Sequence, residues 1–342
     1  MQLIQEGKAK IRIKPEKIVS KDMPVFYNPI MKFNRDMAIL LLKSINQTKL
    51  KIALPLAASG IRGFRFLLEL PKNKIEEIHF NDYNPNFKKT IQNNLILNKI
   101  KGNKIKIHNT EANLFFLQST GFNYIDIDPF GTPNPFLESS IKRLNREGIL
   151  AVTATDTSAL CGTYPKACKR KYWAIPLRNE LMHEIGLRIL IRKIQLVAAQ
   201  YEKALTPIFS YSKDHYMRVF LKSEKRKSKV DEILKQHKYF ENSGPIWTGS
   251  LWDPNLVNEM VKNNNVTENY KILKIIQGES KINTVGFYDI HKLVKRNKLK
   301  KIPKKADLIK LIKKLGYRAS ETHFNPEAIK SDIPFKKLLT LL

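Results

Sequence analysis

Apolar and polar residues alternate over Ala9-Lys10-Ile11-Arg12-Ile13, the period-two pattern of a strand or hairpin. Val25-Phe26-Tyr27-Asn28-Pro29 then reads as an extended segment closed by a turn. Asn34 is placed to cap a helix over 35–42, where apolar residues recur at helical spacing. From Leu50 the rhythm changes. Lys51-Ile52-Ala53-Leu54-Pro55-Leu56 reads as a short buried strand. Ala57-Ala58-Ser59-Gly60-Ile61-Arg62-Gly63 is a small-residue turn opening a helix that runs to Leu70. Further strands are predicted over 75–81, 104–108, 122–127 and 148–154, with a helix over 86–98 between the first two. Strands alternating with helices imply a parallel, doubly wound α/β sheet.

The pattern turns helical over 174–203, and 205–212 with 215–221 read as a closing hairpin. The charged run 222–229 predicts a linker, because dense like charge rarely packs. Beyond it, Gly244-Pro245-Ile246-Trp247-Thr248-Gly249 is an aromatic turn, and 288–295 and 304–316 are basic amphipathic helices. Two helices followed by Tyr317-Arg318-Ala319-Ser320 predict a winged-helix-like module. The expected division is therefore an α/β domain over 1–224 and a smaller α+β domain over 225–342.

Composition narrows the functions available. Lys and Arg total 61 against 31 Asp and Glu, a net charge of +30, which suits a polyanionic partner or, less specifically, a lysine-rich proteome. The two cysteines, Cys161 and Cys168, form neither a disulfide framework nor a four-cysteine zinc site, and such low usage fits a reducing cytosol. The first residues lack the basic-then-apolar plan of a signal peptide, and no apolar run reaches the roughly 20 residues needed to span a bilayer.

Parallel α/β sheets bind ligands beyond the carboxyl ends of their strands, and four features fall there. The Ala57–Gly63 turn lets backbone approach a ligand, although it lacks the full G-x-G-x-x-G pattern. Asp82 ends the second strand, 22 residues past Gly60; it reads as an acceptor for two ribose hydroxyls or as a helix cap. Glu111-Ala112 follows the third strand, a polar acceptor beside a small residue, suited to a flat purine or simply solvated. Asp126-Ile127-Asp128-Pro129-Phe130-Gly131 is the most specific. An exocyclic amine on a base is a poor nucleophile because its lone pair is delocalised into the ring. Asp128 and the Pro129 carbonyl can accept both amino protons, Phe130 can stack on a flipped base, and proline holds the acceptors rigid. Phe26 is a candidate for the base's other face or for the core. Arg35 and Arg62 are candidates for clamping a carboxylate.

Several of these segments together resemble the tRNA guanine-N2 dimethyltransferases, the Trm1 family, in its archaeal form. They are Phe26-Tyr27-Asn28-Pro29, Asn34-Arg35-Asp36, Ala58-Ser59-Gly60-Ile61-Arg62-Gly63, Asn81-Asp82, Asp126–Gly131, Thr153-Ala154-Thr155-Asp156, Gly244-Pro245-Ile246-Trp247 and Thr322-His323-Phe324. The resemblance runs almost end to end. It implies a class I, Rossmann-like methyltransferase fold, S-adenosyl-L-methionine as donor, tRNA as partner and guanosine 26 as target, methylated twice to N2,N2-dimethylguanosine. Arg35, Arg62, Asp82, Glu111 and Ala112 fall on the family's cofactor positions; Asp128, Pro129, Phe130 and Phe26 fall on its base-handling positions. Leu54 stands where relatives often carry aspartate, and Glu111 where aspartate is common. Region 237–243 lacks the cysteine pairs with which many relatives bind zinc, so no metal is expected and packing around Trp247 and Trp252 must hold that domain.

The expected mechanism is direct in-line transfer with no thiolate intermediate from Cys161 or Cys168. The expected protein is a cytoplasmic monomer without a membrane partner. Two rivals remain: an amino methyltransferase acting on DNA or another RNA, against which Phe130-Gly131 in place of Pro-aromatic argues, and a non-catalytic RNA-binding protein on the same scaffold.

Overall fold

The computed structural model describes residues 2–13, 26–299 and 302–342, so Val25 of the expected extended segment lies outside the described residues. Its core is a seven-stranded sheet. Strands β1 (Gln2–Glu6) and β2 (Ala9–Ile13) form a separate antiparallel hairpin. Helix α1 (Lys32–Ser44) leads to β3 (Leu50–Leu54), and the turn after β3 opens α2 (Ile61–Glu69). Then β4 (Ile75–Asn81), α3 (Phe87–Leu97), β5 (Ile105–His108), α4 (Ala112–Gln118), β6 (Phe122–Ile127), α5 (Asn134–Arg143) and β7 (Leu144–Ala154) alternate. Helices α6 (Thr157–Leu160), α7 (Pro165–Tyr172) and α8 (Met182–Ala199) precede the hairpin strands β8 (Lys203–Lys213) and β9 (Tyr216–Lys225).

The strand order is β5-β4-β3-β6-β7-β9-β8, and the pairs β5·β4, β4·β3, β3·β6 and β6·β7 are parallel. The chain leaves β3 for β4 on one side and returns to β6 on the other. The crevice beyond β3 and β6 is thus the topological switch point, where such sheets take ligands.

Local sequence explains the turn that opens there. Ala58 and Gly60 both have positive φ, 48° and 77°. Gly63 lies on the face of α2 that meets the sheet. A Cβ on it would sit 2.2 Å from Cε1 of the buried Phe80 ring and 2.8 Å from Leu54 Cδ1. Glycine there lets the helix start hard against the strand ends.

Three sequence expectations change. Asn34 is the third residue of α1, fully buried, and caps nothing, because the 3₁₀ turn Pro29–Met31 already delivers the chain into the helix. The expected helix over 174–203 is confined to α8, with α7 upstream of it. The charged run 222–229 is no linker. It finishes β9, whose alternation buries Leu221 and Ser223 while Lys222 and Glu224 point outward, and then enters α9 (Lys227–Leu234).

Two compact units interleave in sequence. The first comprises 1–155, 197–206 and 220–230; the second comprises 156–196, 207–219 and 231–342, where sequence had suggested one boundary after 224. Within the second, α8 supplies the reason that 156–196 groups with the C-terminal residues. Its fully buried Glu184 binds Arg188 and also Lys330 at 3.1 Å, and Lys330 donates in turn to the Gly286 carbonyl at 3.0 Å. Burial opposes ionisation of Glu184, but the charges of Lys330 and Arg188 hold its pKa down. The rest of this unit runs β10 (His237–Phe240), β11 (Ser243–Trp247), α10 (Pro254–Asn263), α11 (Thr267–Glu279), β12 (Tyr288–Asp289), α12 (Ile290–Arg296), α13 (Lys305–Lys314), β13 (Ala319–Glu321), β14 (Ala328–Ser331) and α14 (Phe335–Leu339). Trp247 and Trp252 are buried, their indole N–H groups donating to the Ser250 and Ser210 carbonyls.

Gly63→Ala is expected to destabilise the protein by about 1–3 kcal/mol through overpacking, more than the roughly 1 kcal/mol that alanine offers a helix. Urea unfolding measures this, and an equal or raised midpoint would mean the helix–strand approach is looser than described.

Candidate active site

The candidate site follows from three strand ends and one upstream segment. The turn after β3, Asp82 after β4 and the segment after β6 converge on a cavity of about 410 Å³. Asp82, Asp128, Pro129 and Phe130 line it from the strand ends; Arg62 lines it from α2, and Phe26 and Arg35 from the segment leading into and through α1. Leu54 contributes an apolar wall where the end of β3 meets the pocket. Glu111 and Ala112 are not among its lining residues. Instead the Glu111 carboxylate caps α4, accepting from the backbone N–H groups of Asn113 and Leu114. That role follows from its position one residue before the helix.

Asp82 is half-buried and already fixed. One oxygen accepts the Ala58 N–H at 2.8 Å and the other the Asn84 N–H at 3.0 Å. These bonds orient the carboxylate toward the turn and leave a lone pair on each oxygen for a ligand hydroxyl.

Asp128 is held by Arg62. The guanidinium Nη2 bonds Asp128 Oδ2, while Nη1 donates to Asn34 Oδ1 at 2.9 Å and lies 3.4 Å from Asp126 Oδ2. Asp126 is buried and also accepts the Tyr124 hydroxyl at 2.7 Å. Asp128 Oδ1 has no hydrogen-bond donor among the described residues. The turn that follows is bracketed: the Gly131 N–H donates to Thr155 Oγ1 at 2.7 Å, and the Thr155 N–H donates to the Gly131 carbonyl at 3.0 Å. Phe130 is thereby carried outward, 56% exposed, with its ring edge-on to Phe26 at 4.5 Å between centroids. The two rings flank the pocket mouth in contact, so a base entering between them has to part them.

Arg35 is fixed from beneath. It forms two bonds to the buried carboxylate of Glu6, at 2.7 and 2.5 Å, and Arg65 binds the same carboxylate at 2.8 Å. The Tyr27 hydroxyl donates to Glu6 at 2.9 Å, and Arg35 also donates to the Asn28 carbonyl at 3.0 Å. Burial raises the Glu6 pKa, but hydrogen bonds and charge from Arg35 and Arg65 outweigh it and pull the group down to about 2. A lone glutamate ending the first strand carried no sequence signal of this role. Asp126 and Thr155 were visible only as members of motifs, and Asn34 only as a motif member and a helix cap.

The thiols are unsuited to nucleophilic work. Burial pushes Cys161 up to about 11 and Cys168 up to about 12, so both stay protonated near neutrality. Among the described residues no group of three or more His, Cys, Asp or Glu could hold a metal ion, and no helix is long and apolar enough to cross a membrane.

Comparison with known proteins gives consistent matches. The family model described as N2,N2-dimethylguanosine tRNA methyltransferase matches residues 7–243 and 237–342. The chain is 40% identical to the tRNA (guanine(26)-N(2)/guanine(27)-N(2))-dimethyltransferase of Aquifex aeolicus, over 99% of this chain and 95% of that protein. It is equally 40% identical to the tRNA (guanine(26)-N(2))-dimethyltransferase of Pyrococcus furiosus, over 99% and 97%. Among solved structures, the Pyrococcus horikoshii Trm1 complex with S-adenosyl-L-methionine superposes with a TM-score of 0.90 at 37% identity, covering 99% of each chain.

Glu6 sets an acid-stability prediction. Its pKa is depressed from 4.5 to about 2, so its contribution is complete above 4.5 and is lost as pH falls toward 2. The drop corresponds to about 3 kcal/mol. Glu6→Gln should lose about that much stability at neutral pH and flatten the decline between these limits. Parallel acid curves for the two proteins in urea titrations would refute it.

Proposed function

The chain belongs to the N2,N2-dimethylguanosine tRNA methyltransferase family, and from that premise we propose which of its residues carry the reaction. It is a tRNA guanine-N2 dimethyltransferase that draws its methyl groups from S-adenosylmethionine and forms N2,N2-dimethylguanosine at position 26.

The pocket fits such a donor. Its volume falls in the range of about 300–1,000 Å³ usual for small-molecule sites, and the positive-φ turn at Ala58 and Gly60 leaves backbone open to a ligand. Asp82 would hold ribose hydroxyls with its remaining lone pairs. Arg35 and Arg62, both lining the cavity, would face the donor's amino-acid end. When bound, the donor supplies an electrophilic methyl group on a sulfonium. Glu111 and Ala112 stay part of this reading as the adenine side, at the start of α4.

The protein's own work is on the amine. In the first transfer Asp128 Oδ1 and the Pro129 carbonyl accept the two N2 protons and turn the nitrogen's lone pair out of conjugation; in the second, Asp128 Oδ1 accepts the one that remains. Asp128 need not be a strong base, because the alkylated amine is acidic and gives up its proton readily. Phe130 and Phe26 close on the faces of the extruded base, whose flipping costs a few kcal/mol. The observation that carries the reading is the location of Asp128-Pro129-Phe130 in the same cavity as Asp82 and the glycine turn.

The C-terminal part serves tRNA binding in this reading. The order α11, β12, α12, α13, β13, β14, with the antiparallel sheet β12-β14-β13, supports a winged-helix module. Its α13 exposes Lys310, Lys313 and Lys314. The protein is also taken as a monomer, and as cytoplasmic, a compartment that its two buried free thiols suit.

Asp128→Ala should lower kcat/KM for methyl transfer to tRNA by about 10²–10³-fold, with tRNA affinity little changed. Retention of the full rate would remove Asp128 from the chemistry. Replacing both Cys161 and Cys168 by serine should leave the rate within about twofold, since neither forms a bond in an in-line transfer; a double variant that unfolds at the unaltered temperature and binds the donor normally, yet is dead, would restore the thiolate mechanism.

A further inference from the structure

We propose that Asn34 is a positioning residue for the reaction: it aims the Arg62 guanidinium, and Arg62 in turn fixes Asp128 at the end of β6. This rests on the assignment of Asp128 as the amine acceptor.

Asn34 is fully buried and does not line the cavity, so it touches neither donor nor base. An asparagine buried in a helix interior is costly unless its amide is satisfied on both sides. Here both sides are used across elements. Its Oδ1 accepts from Arg62 Nη1 at 2.9 Å, and its Nδ2 donates to Oγ1 of Thr153 on β7 at 3.2 Å. Thr153 is itself fully buried. The amide therefore spans from the strand beside β6 to Nη1, the terminal guanidinium nitrogen paired with the Nη2 that binds Asp128.

This fixes the geometry of the fork. A guanidinium is planar, so anchoring Nη1 sets the direction of Nη2. Asp126 lies 3.4 Å from the same Nη1 and draws the fork toward β6, and Asn34 balances that pull from α1. With Nη1 held between them, Nη2 meets Asp128 Oδ2. One carboxylate oxygen is thus committed to Arg62, and the other is left to face the pocket as the amine acceptor. Without Asn34 the fork is free to turn wholly onto Asp126. Asp128 would then lose its partner and rotate, and misplacement of about 1 Å at a reacting group costs up to about 100-fold.

The test uses the full-length protein with a tRNA transcript bearing guanosine 26, measuring single-turnover methyl transfer per donor-binding site, donor and tRNA affinities, and thermal unfolding. Asn34→Ala is expected to lower the transfer rate roughly 10- to 100-fold, with tRNA affinity unchanged within about threefold. Asn34→Asp, which keeps an acceptor for Arg62, should recover most of the loss. If Asn34→Ala does not fold, Thr153→Val removes the far anchor of the amide and is expected to slow transfer several-fold. The decisive arm is the double variant. If Asn34 acts through Asp128, adding Asn34→Ala to Asp128→Ala costs less than about twofold further. An unchanged rate in Asn34→Ala, or a full multiplicative loss in the double variant, overturns the proposal. Full activity in Asp128→Ala alone would instead overturn the assignment of Asp128 on which it rests.

Discussion

A guanidinium removed from water has to be met by carboxylates, and α2 carries two such groups on consecutive turns of its buried side. Arg62 is met by Asp126 from β6 and Asp128 just past its end, and Arg65 by Glu6 from the N-terminal hairpin, Asp36 from α1 and Glu69 from its own helix. Breaking one buried partner of such a set typically costs about 3–5 kcal/mol. These pairs therefore decide where the hairpin, α1 and the end of β6 lie around the first turn of α2. That turn opens the pocket. The charges that hold the first unit together and the residues that face a ligand belong to one network.

The network also explains why the pocket is built from segments far apart in sequence. The parallel sheet supplies Asp82 and Asp128 at strand ends, as any such sheet would. It does not by itself supply Phe26 or Arg35, which come from the chain before β3. Glu6 does that, gripping both Arg35 and the Tyr27 hydroxyl from below. The hairpin β1–β2 thus has a task beyond packing on α2 and α3. It fixes the wall on which Phe26 stands opposite Phe130.

Much of this was legible in the sequence, and the reasons differ by residue. The central strands between 50 and 154 were readable because a parallel sheet buried on both faces writes apolar runs, and the edge strand β5 because it alternates. Asp82, Asp128 and Phe130 were readable because each follows such a run. The roles of Asn34 and Glu6 were not, since both are defined by partners 21 to 119 residues away. Asn34 has the local look of a cap, and only the 3₁₀ turn ahead of α1 takes that role from it. The charged stretch 222–229 is misleading for a related reason: its charge density masks the alternation that buries Leu221 and Ser223 on β9.

The most direct test asks what the pocket makes. An unmodified tRNA transcript with guanosine at position 26, incubated with the protein and S-adenosylmethionine, is digested to nucleosides and analysed by mass spectrometry. The expected product is N2,N2-dimethylguanosine, lost when that guanosine is replaced by adenosine. Methylation on carbon or on a ring nitrogen, or none at all, would contradict a site that acts by holding an exocyclic amine against Asp128.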